Sequence, residues 1–202
     1  MTKVKICGLT RYQDIKYVNE LKPEYIGFVF AKSKRQVTLV QALELRKNLN
    51  KETKTVGVFV NESIKTVKEI AFAVKLDVLQ FHGNEDREYI NNFNDFEVWK
   101  ALPVKNKNDL AQLDKFQNIR LLIDSKVEGA QGGSGKTFDW NILKDSNLKH
   151  KIILAGGLNC ENIAKAIGII QPYAVDVSSG VEINGIKDYQ KMKEFIEKAR
   201  EA

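Results

Sequence analysis

The chain has 202 residues, of which 43% are hydrophobic and 29% are charged, values typical of a globular protein that can bury a core. Lys and Arg together number 32 against 26 Asp and Glu, so the formal charge is +6, which excludes an acidic disordered chain. Because the lysines are spread along the whole chain, this charge does not by itself indicate a nucleic-acid surface.

The rare residue types exclude other classes of protein. Two cysteines, Cys7 and Cys160, cannot build a disulfide framework, and neither belongs to a CxxC pair. The only histidines are His82 and His150, so we expect no metal site. With neither a signal peptide nor a membrane-spanning apolar run, the sequence predicts a cytoplasmic protein with reduced thiols.

Short apolar or β-branched runs alternate along the chain with longer segments of helical spacing. The runs are predicted strands at residues 4–7, 25–30, 55–60, 77–82, 97–102, 119–124, 152–155 and 174–178. Apolar stripes of predicted helices occur at Ile64, Val67, Ala71 and Val74; at Leu110, Leu113 and Phe116; and at Tyr189, Met192, Ile196 and Ala199. Cap residues and acidic first turns predict helix starts at 61–62 and 159–161.

This alternation predicts parallel strands joined by right-handed helical crossovers. Eight such units indicate a single (β/α)8 barrel over residues 1–202, near the lower size limit of about 200 residues for that fold. No room is then left for a second domain. An open doubly wound sheet is the alternative, if a weak run such as 97–102 is not a strand.

Reactive side chains and glycines occur at the carboxyl ends of most predicted strands, where a (β/α)8 barrel has its active site. The opposite ends of the strands carry no such groups. This asymmetry indicates an enzyme rather than a scaffold.

Two glycine-containing turns follow the last two predicted strands. Gly156 and Gly157 follow the seventh and are predicted to open a helix through Leu158 and Asn159, and Ser178, Ser179 and Gly180 follow the eighth. Glycines allow N–H groups to approach an anion, a helix N-terminus adds a favourable dipole, and barrels often bind phosphate at these two loops. We therefore predict phosphate binding here, with two ordinary tight turns as the alternative.

Cys7 and Asp124 end the first and sixth predicted strands. A thiol and a carboxyl at one barrel mouth could form an acid/base pair. Cys7 could instead be a small buried hydrophobe, and Asp124 could cap a helix or anchor a loop.

The segment after Asp124 has four glycines between positions 129 and 135, which predicts a flexible lid over residues 126–137. Its end, Gly135-Lys136-Thr137, is similar to a P-loop. The full P-loop pattern requires glycine at position 130, which is Ala130, so nucleoside triphosphate binding is not expected.

Taken together, the motifs resemble the phosphoribosylanthranilate isomerase family of tryptophan biosynthesis over the whole chain. They are Lys5-Ile6-Cys7-Gly8-Leu9-Thr10, Gln80-Phe81-His82-Gly83, Leu122-Ile123-Asp124-Ser125, Gly132-Gly133-Ser134-Gly135 with Phe138-Asp139-Trp140, Gly156-Gly157-Leu158, and Asp176-Val177-Ser178-Ser179-Gly180-Val181-Glu182. The one departure is Phe81, where the family commonly has Leu, and its side chain should face away from the site.

The resemblance implies an Amadori rearrangement of N-(5-phosphoribosyl)anthranilate to 1-(2-carboxyphenylamino)-1-deoxyribulose 5-phosphate, without metal or cofactor. It implies Asp124 as the general acid and Cys7 as the general base. Arg35 is expected at the anthranilate carboxylate, and His82 in the same pocket. The phosphate and sugar hydroxyls are assigned to Gly156, Gly157, Asp176, Ser178, Ser179 and Gly180.

A base of this kind needs activation, because a free cysteine has a pKa of about 8.5. Strand alternation places Lys5 on the same side as Cys7. We hypothesise that Lys5 lies beneath Cys7, pairs with an interior carboxylate such as Asp176, and favours the thiolate. A purely structural buried ion pair is the alternative.

Two other functions remain open at this point. The related isomerase of histidine biosynthesis should have Asp at the end of its first strand and a second phosphate loop half-way round the barrel. This chain has Cys7 at the first position, and Val60-Asn61-Glu62 and His82-Gly83-Asn84 do not resemble that second loop. A non-enzymatic binder of phosphate ligands or nucleic acid lacks support, because aromatic–basic interleaving is missing. The expected partner is therefore a small phosphorylated substrate, with neither nucleic acid nor membrane, and a monomer is expected, with a dimer as the alternative.

Overall fold

A computed structural model describes residues 1–104, 106–116, 118–124, 140–144 and 152–202. Eight parallel strands form a closed barrel in chain order. They are β1 (Lys3–Cys7), β2 (Tyr25–Val29), β3 (Lys54–Phe59), β4 (Val78–Phe81), β5 (Glu97–Pro103), β6 (Arg120–Asp124), β7 (Ile152–Ala155) and β8 (Ala174–Val177). The predicted (β/α)8 fold is confirmed and the open sheet is wrong, since the doubtful run at 97–102 lies within a strand.

Helices follow the strands along the chain. They are α1 (Tyr12–Leu21), α2 (Leu39–Lys47), α3 (Ile64–Val74), α4 (Arg87–Ile90), α5 (Asn141–Lys144), α6 (Ile163–Ile170) and α7 (Tyr189–Glu201). Shorter elements are 3-10 helices at Asn91–Phe93, Lys107–Phe116 and Ser179–Val181, and an antiparallel pair of β9 (Glu182–Ile183) and β10 (Ile186–Lys187). Within the described ranges, none of the helices has the length and apolar character needed to cross a membrane.

The chain divides into two compact units, residues 5–100 and residues 1–4 with 101–202. In the first, β1 to β4 and most of β5 pair in register, and Cys7 lies opposite Gly27. In the second, β6 pairs with β7 and β7 with β8. Treatment of the whole chain as one domain stays a prediction.

Helix boundaries depend on side-chain caps. Ser63 accepts a hydrogen bond from the N–H of Thr66 and begins α3, and Asp188 accepts one from the N–H of Lys191 and begins α7. The start predicted at 61–62 is therefore two residues early. The start predicted at 159–161 is also early, because the residue before α6 is Asn162.

The stripe of Leu110, Leu113 and Phe116 does not belong to an α-helix. It lies in the 3-10 helix Lys107–Phe116, in which Leu113 and Phe116 are buried. A 3-10 helix has three residues per turn, so side chains three apart lie on one face. The strict three-residue repeat of this stripe fits that geometry better than the 3.6-residue period of an α-helix.

The side chain of Phe81, the last residue of β4, packs against the helices outside the barrel. Its ring centroid lies 5.3 Å from that of Tyr89 and 5.0 Å from that of Phe93, which belong to α4 and the 3-10 helix after it. The expectation that Phe81 faces away from the barrel interior is confirmed.

A cluster of one aromatic ring and two cations lies at the amino ends of strands. The Cζ atom of Arg120 is 3.5 Å from the ring centroid of Tyr173, and Nζ of Lys3 is 4.5 Å from it. Nζ of Lys3 also donates a hydrogen bond to the Tyr173 hydroxyl at 2.9 Å. The cluster ties together the starts of β1, β6 and β8, the end of the barrel away from the predicted chemistry.

Candidate active site

Cys7 lies at the carboxyl end of β1 beside a glycine of the neighbouring strand. A Cβ atom added to Gly27 would lie 2.7 Å from Sγ of Cys7 and 3.2 Å from Cε of Lys5. Lys5 and Cys7 therefore extend over Gly27 on the same face of β1. Gly27 was missed in the sequence analysis, although a glycine inside a strand is a signal of close approach by another group.

The face that carries Lys5 and Cys7 is the barrel interior. Lys5 is fully buried and donates a hydrogen bond from Nζ to Oε1 of Gln80 at 2.9 Å. Gln80 lies on β4, which is not a neighbour of β1, so the two side chains meet across the interior. The prediction that Cys7 points inward above Lys5 is confirmed, and the pairing of Lys5 with Asp176 stays a prediction.

Arg35 reaches the same strand end from the loop after β2. Its Cβ and Cγ would each lie 3.3 Å from a Cβ atom added to Gly8, and its Cδ would collide with that atom. Gly8 has a φ angle of +79°, which favours glycine. The structure thus brings Arg35 against Gly8, the residue that follows Cys7, as an anion-binding arginine at this site would require.

His82 follows β4 and is half-buried. Its Nδ1 lies 3.2 Å from Nε2 of Gln80, whose oxygen binds Lys5. Lys5, Gln80 and His82 form a continuous hydrogen-bonded chain from the barrel interior to the strand end. The sequence predicted no role for Gln80 beyond its place in the motif that contains His82.

A buried ion pair fixes the loop that carries His82. Nζ of Lys100 lies 2.8 Å from Oε2 of Glu85 and donates another hydrogen bond to the carbonyl of Gly83. The Glu85 carboxylate also accepts hydrogen bonds from the N–H groups of Asn61 and Gly83. Burial alone would raise the pKa of Glu85, but the hydrogen bonds from Lys100 and from the N–H of Asn61, together with the charge of Lys100, lower it below its ordinary value of 4.5.

Asp124 occupies the last position of β6 after three buried residues, and it is half-buried. Its register partner on β7 is Ala155, which immediately precedes Gly156. The predicted lid at 126–137 and the Phe138-Asp139 part of its motif lie outside the described residues.

The turn after β7 requires glycine, because Gly156 and Gly157 have φ angles of +84° and +71°. The prediction that this turn opens directly into a helix is wrong, since α6 begins at Ile163. The side chain of Asn159 instead accepts hydrogen bonds from the N–H groups of Glu161 and Asn162 and builds an intervening turn. The helix therefore begins six residues after Gly157 and not at this turn.

The two predicted phosphate loops touch each other. A Cβ atom at Gly180 would collide with the carbonyl oxygen of Leu158, so only glycine permits this approach of the loops after β7 and β8. Ser178 lies between Asp176 of β8 and the 3-10 helix Ser179–Val181. The predicted phosphate-binding residues are therefore brought together within the second unit.

A second buried ion pair anchors the loop after β8. Nζ of Lys187 lies 2.6 Å from Oε1 of Glu182, and both side chains are buried. The same ammonium donates hydrogen bonds to the carbonyl and the hydroxyl oxygen of Ser178, at 2.9 Å and 3.3 Å. Lys187 was missed in the sequence analysis, because nothing in its local pattern distinguishes it from the many solvated lysines.

The geometry agrees with comparisons to known proteins. The family model described as N-(5'phosphoribosyl)anthranilate (PRA) isomerase matches residues 4–198. The chain belongs to this isomerase family. Proteins named N-(5'-phosphoribosyl)anthranilate isomerase from Thermoanaerobacter sp. (strain X514) and Clostridium acetobutylicum are 57% and 50% identical to it, over 200 and 205 residues. Each alignment covers 99% of this chain and 98% of the relative.

Solved structures of the isomerase family share the fold. The phosphoribosyl anthranilate isomerase of Thermotoga maritima superimposes with a TM-score of 0.92 at 38% identity, with full coverage of both chains. A structure of a phosphoribosyl anthranilate isomerase in complex with reduced 1-(o-carboxyphenylamino)-1-deoxyribulose 5-phosphate gives a TM-score of 0.88 at 35% identity, again with full coverage. The family, the isomerase class and the barrel predicted from the sequence are confirmed. Family membership also favours this isomerase over the histidine-pathway enzyme and the non-enzymatic binder.

Proposed function

We propose that the chain catalyses the Amadori rearrangement of N-(5-phosphoribosyl)anthranilate to 1-(2-carboxyphenylamino)-1-deoxyribulose 5-phosphate in tryptophan biosynthesis, by general acid/base chemistry without metal or cofactor. The observation that carries the proposal is the position of Cys7, inward-facing at the strand end, with buried Lys5 beneath it and Arg35 beside it. A proton acceptor, a positive charge and an anion-binding guanidinium are thereby gathered at one strand end.

Asp124 acts first in this mechanism. Its carboxylic acid protonates the furanose ring oxygen, the bond from C1 to that oxygen breaks, and the nitrogen lone pair forms the C1=N bond of a protonated Schiff base. Asp124 is left as a carboxylate. Its place at the end of β6 supports this role, because strand ends of a barrel face the substrate.

Cys7 acts second, as a thiolate. It removes the proton from C2, and the electron pair of that bond forms the C1=C2 bond as the iminium nitrogen is neutralised. The resulting enolamine takes a proton at C1 and loses the one on the C2 hydroxyl, which gives the ketone. The adjacent ammonium of Lys5 stabilises the thiolate over the thiol, because opposite charges close together favour the charged form.

The remaining site residues bind the substrate. The Arg35 fork fits the two oxygens of the anthranilate carboxylate, with His82 in the same pocket. Gly156, Gly157 and Ser178–Gly180 offer backbone N–H groups to the phosphate, and Asp176 binds sugar hydroxyls. Contact between the loops after β7 and β8 supports one shared phosphate site.

The protein acts on its small phosphorylated substrate as a cytoplasmic monomer in this proposal. A related isomerase of Thermotoga maritima is described as dimeric, and monomers of it have also been solved. Light scattering on the purified chain measures the oligomeric state, and a mass of two chains would overturn the monomer.

A fluorescence assay that follows the loss of phosphoribosylanthranilate tests the function. Turnover by the wild type is expected, with a loss of roughly 10²- to 10⁴-fold in kcat for Cys7→Ala and for Asp124→Ala. Cys160→Ala is the matched control, because Sγ of Cys160 donates to the carbonyl of Lys191 on α7 and has no place in the mechanism. A wild type that does not consume the substrate overturns the proposal, and near-normal turnover in either site variant overturns that role.

The activation of Cys7 has its own test. In a Cys160→Ala background Cys7 is the only thiol, so its alkylation rate against pH reports its pKa directly. Lys5→Met is expected to raise that pKa. An unchanged pKa in the folded variant would remove Lys5 from the mechanism.

A further inference from the structure

The chain of Lys5, Gln80 and His82 fixes which way the Gln80 amide points. An ammonium group has three donors and no acceptor, so the atom that faces Nζ of Lys5 at 2.9 Å must be the amide oxygen. The amide nitrogen of Gln80 then faces Nδ1 of His82 at 3.2 Å. Lys5 is fully buried and Gln80 is 1% exposed, so the Gln80 amide has little room to turn over.

This orientation decides the tautomer of His82. The amide nitrogen of glutamine is a donor only, so Nδ1 of His82 must accept, and an accepting ring nitrogen carries no proton. The proton of the neutral imidazole is therefore on Nε2. The same hydrogen bond sets the rotation of the ring, and the loop after His82 is held by the Glu85 carboxylate through the N–H of Gly83.

Of these three hydrogen-bonded side chains, only His82 can be reached by a ligand. His82 is half-buried at the strand end, whereas Lys5 and Gln80 are buried. We propose that Gln80 is a positioning residue, which holds His82 in the Nε2–H tautomer so that the ring donates a hydrogen bond to a carboxylate oxygen of the substrate. The identity of that oxygen rests on the function proposed above, whereas the tautomer does not.

Glutamate at position 80 separates this role from simple packing. Gln80→Glu keeps the length and branching of the side chain and still accepts from Lys5. A carboxylate has no N–H, so the oxygen that faces Nδ1 of His82 can only accept, and the ring must place a proton on Nδ1. Gln80→Met removes both hydrogen bonds at similar volume and leaves the tautomer unspecified.

Long-range ¹H–¹⁵N NMR correlations of the imidazole rings read out the tautomer without substrate. The chain has two histidines, so His150→Gln assigns both sets of signals. The wild type is expected to show His82 protonated on Nε2 and not on Nδ1, whereas Gln80→Glu is expected to show a proton on Nδ1. A wild-type His82 protonated on Nδ1 overturns the inference even if no variant folds, and an unchanged His82 pattern in a folded Gln80→Glu variant also overturns it.

Kinetics test whether the tautomer matters for substrate. Glutamine at position 82 can place an amide N–H near the former Nε2, whereas asparagine reaches only as far as Nδ1. At a pH where the His82 ring is neutral, we expect His82→Asn and Gln80→Glu each to raise KM about tenfold, the effect of one lost hydrogen bond to a charged group. His82→Gln is expected to restore KM to within about threefold of wild type. The double variant His82→Asn/Gln80→Glu is expected to match His82→Asn alone, because Gln80 acts through His82.

The outcomes keep this inference apart from the proposed function. If the wild type does not convert phosphoribosylanthranilate, the proposed function fails, while the NMR spectra still decide whether Gln80 sets the tautomer. If the wild type converts it but the two substitutions are additive in KM, the proposed function stands and the positioning role of Gln80 is overturned.

Discussion

Gly27 leaves the space that Sγ of Cys7 occupies, since a Cβ atom there would lie only 2.7 Å from the sulfur. Real Cβ contacts are longer than this, so any other residue at position 27 must displace the thiol or the strand. The geometry of the proposed base therefore depends on a residue of the neighbouring strand that has no side chain.

We expect Gly27→Ala to reduce kcat by roughly 10- to 100-fold, because displacement of a reacting group by about 1 Å costs up to that factor. Steady-state kinetics and the alkylation rate of Cys7 measure the effect. A variant that folds and keeps wild-type kcat would show that the thiol does not need this space.

Gly168→Ala is the matched control for the same substitution. Gly168 lies inside α6, where an added Cβ meets no heavy atom within 4 Å. Alanine should stabilise the protein by about 1 kcal/mol through its higher helix propensity and leave kcat unchanged. Loss of activity in this control would show that glycine substitution disturbs turnover non-specifically.

Lys100→Met is expected to lower the free energy of unfolding by about 3–5 kcal/mol, because it leaves the Glu85 carboxylate buried without its counter-charge. Chemical denaturation measures this loss. The double variant Lys100→Met/Glu85→Leu should recover part of the stability, since no buried charge then remains. A double variant as unstable as Lys100→Met would contradict this account.

Glu85 also makes stability depend on pH. Its native pKa is lowered, so its contribution is fully present above the unfolded-state value of about 4.5 and is lost as the pH falls through the native pKa. We expect the wild type to lose stability below pH 4.5 more steeply than Glu85→Gln in urea denaturation. Parallel curves for the two proteins would exclude Glu85 as a source of the acid sensitivity.

Lys187 is expected to have two effects: its ion pair with Glu182 stabilises the fold, and its hydrogen bonds hold Ser178 in place. In Lys187→Met, the buried carboxylate loses its partner and the free energy of unfolding should fall by about 3–5 kcal/mol. KM should also rise, because the loop after β8 loses the donor that fixes the Ser178 carbonyl.

A double variant separates these two effects. Lys187→Met/Glu182→Met removes both charges and should recover stability, but it leaves Ser178 without its donor, so the raised KM should persist. If KM returns to the wild-type value together with stability, Lys187 is a structural residue with no effect on the phosphate loop.

Tyr173 should contribute to stability without affecting catalysis. Tyr173→Phe removes the hydrogen bond from Lys3 and should cost about 0.5–1.5 kcal/mol, whereas Tyr173→Leu also removes the cation–π contacts and should cost about 0.5–2 kcal/mol more. Urea denaturation of the two variants measures the difference, and kcat should stay at the wild-type value. Equal losses of unfolding free energy in the two variants would show that the cation–π contacts of the Tyr173 ring add nothing to stability.

The candidate site residues could be picked out because strand ends are visible in the sequence, and their roles stay predictions. Cys7, His82 and Asp124 each end or follow an apolar run, and parallel strands of a barrel present their carboxyl ends on one side. Helix starts were placed less well, because a cap depends on which nearby hydroxyl or carboxylate accepts the backbone N–H, as Ser63 does for α3.

The sequence by itself determined the order of the elements, the barrel, the family, and the residues that carry the proposed chemistry. Only the tertiary structure decided which groups meet: Lys5 with Gln80 across the barrel interior, Cys7 with Gly27 of the neighbouring strand, and Lys187 with Ser178 after β8. The physical reason is that periodicity reports which face of an element is buried, whereas hydrogen-bond partners on different strands depend on register and barrel closure. Of the two cysteines, whose number first excluded a disulfide framework, Cys7 carries the proposed role of base and Cys160 carries none.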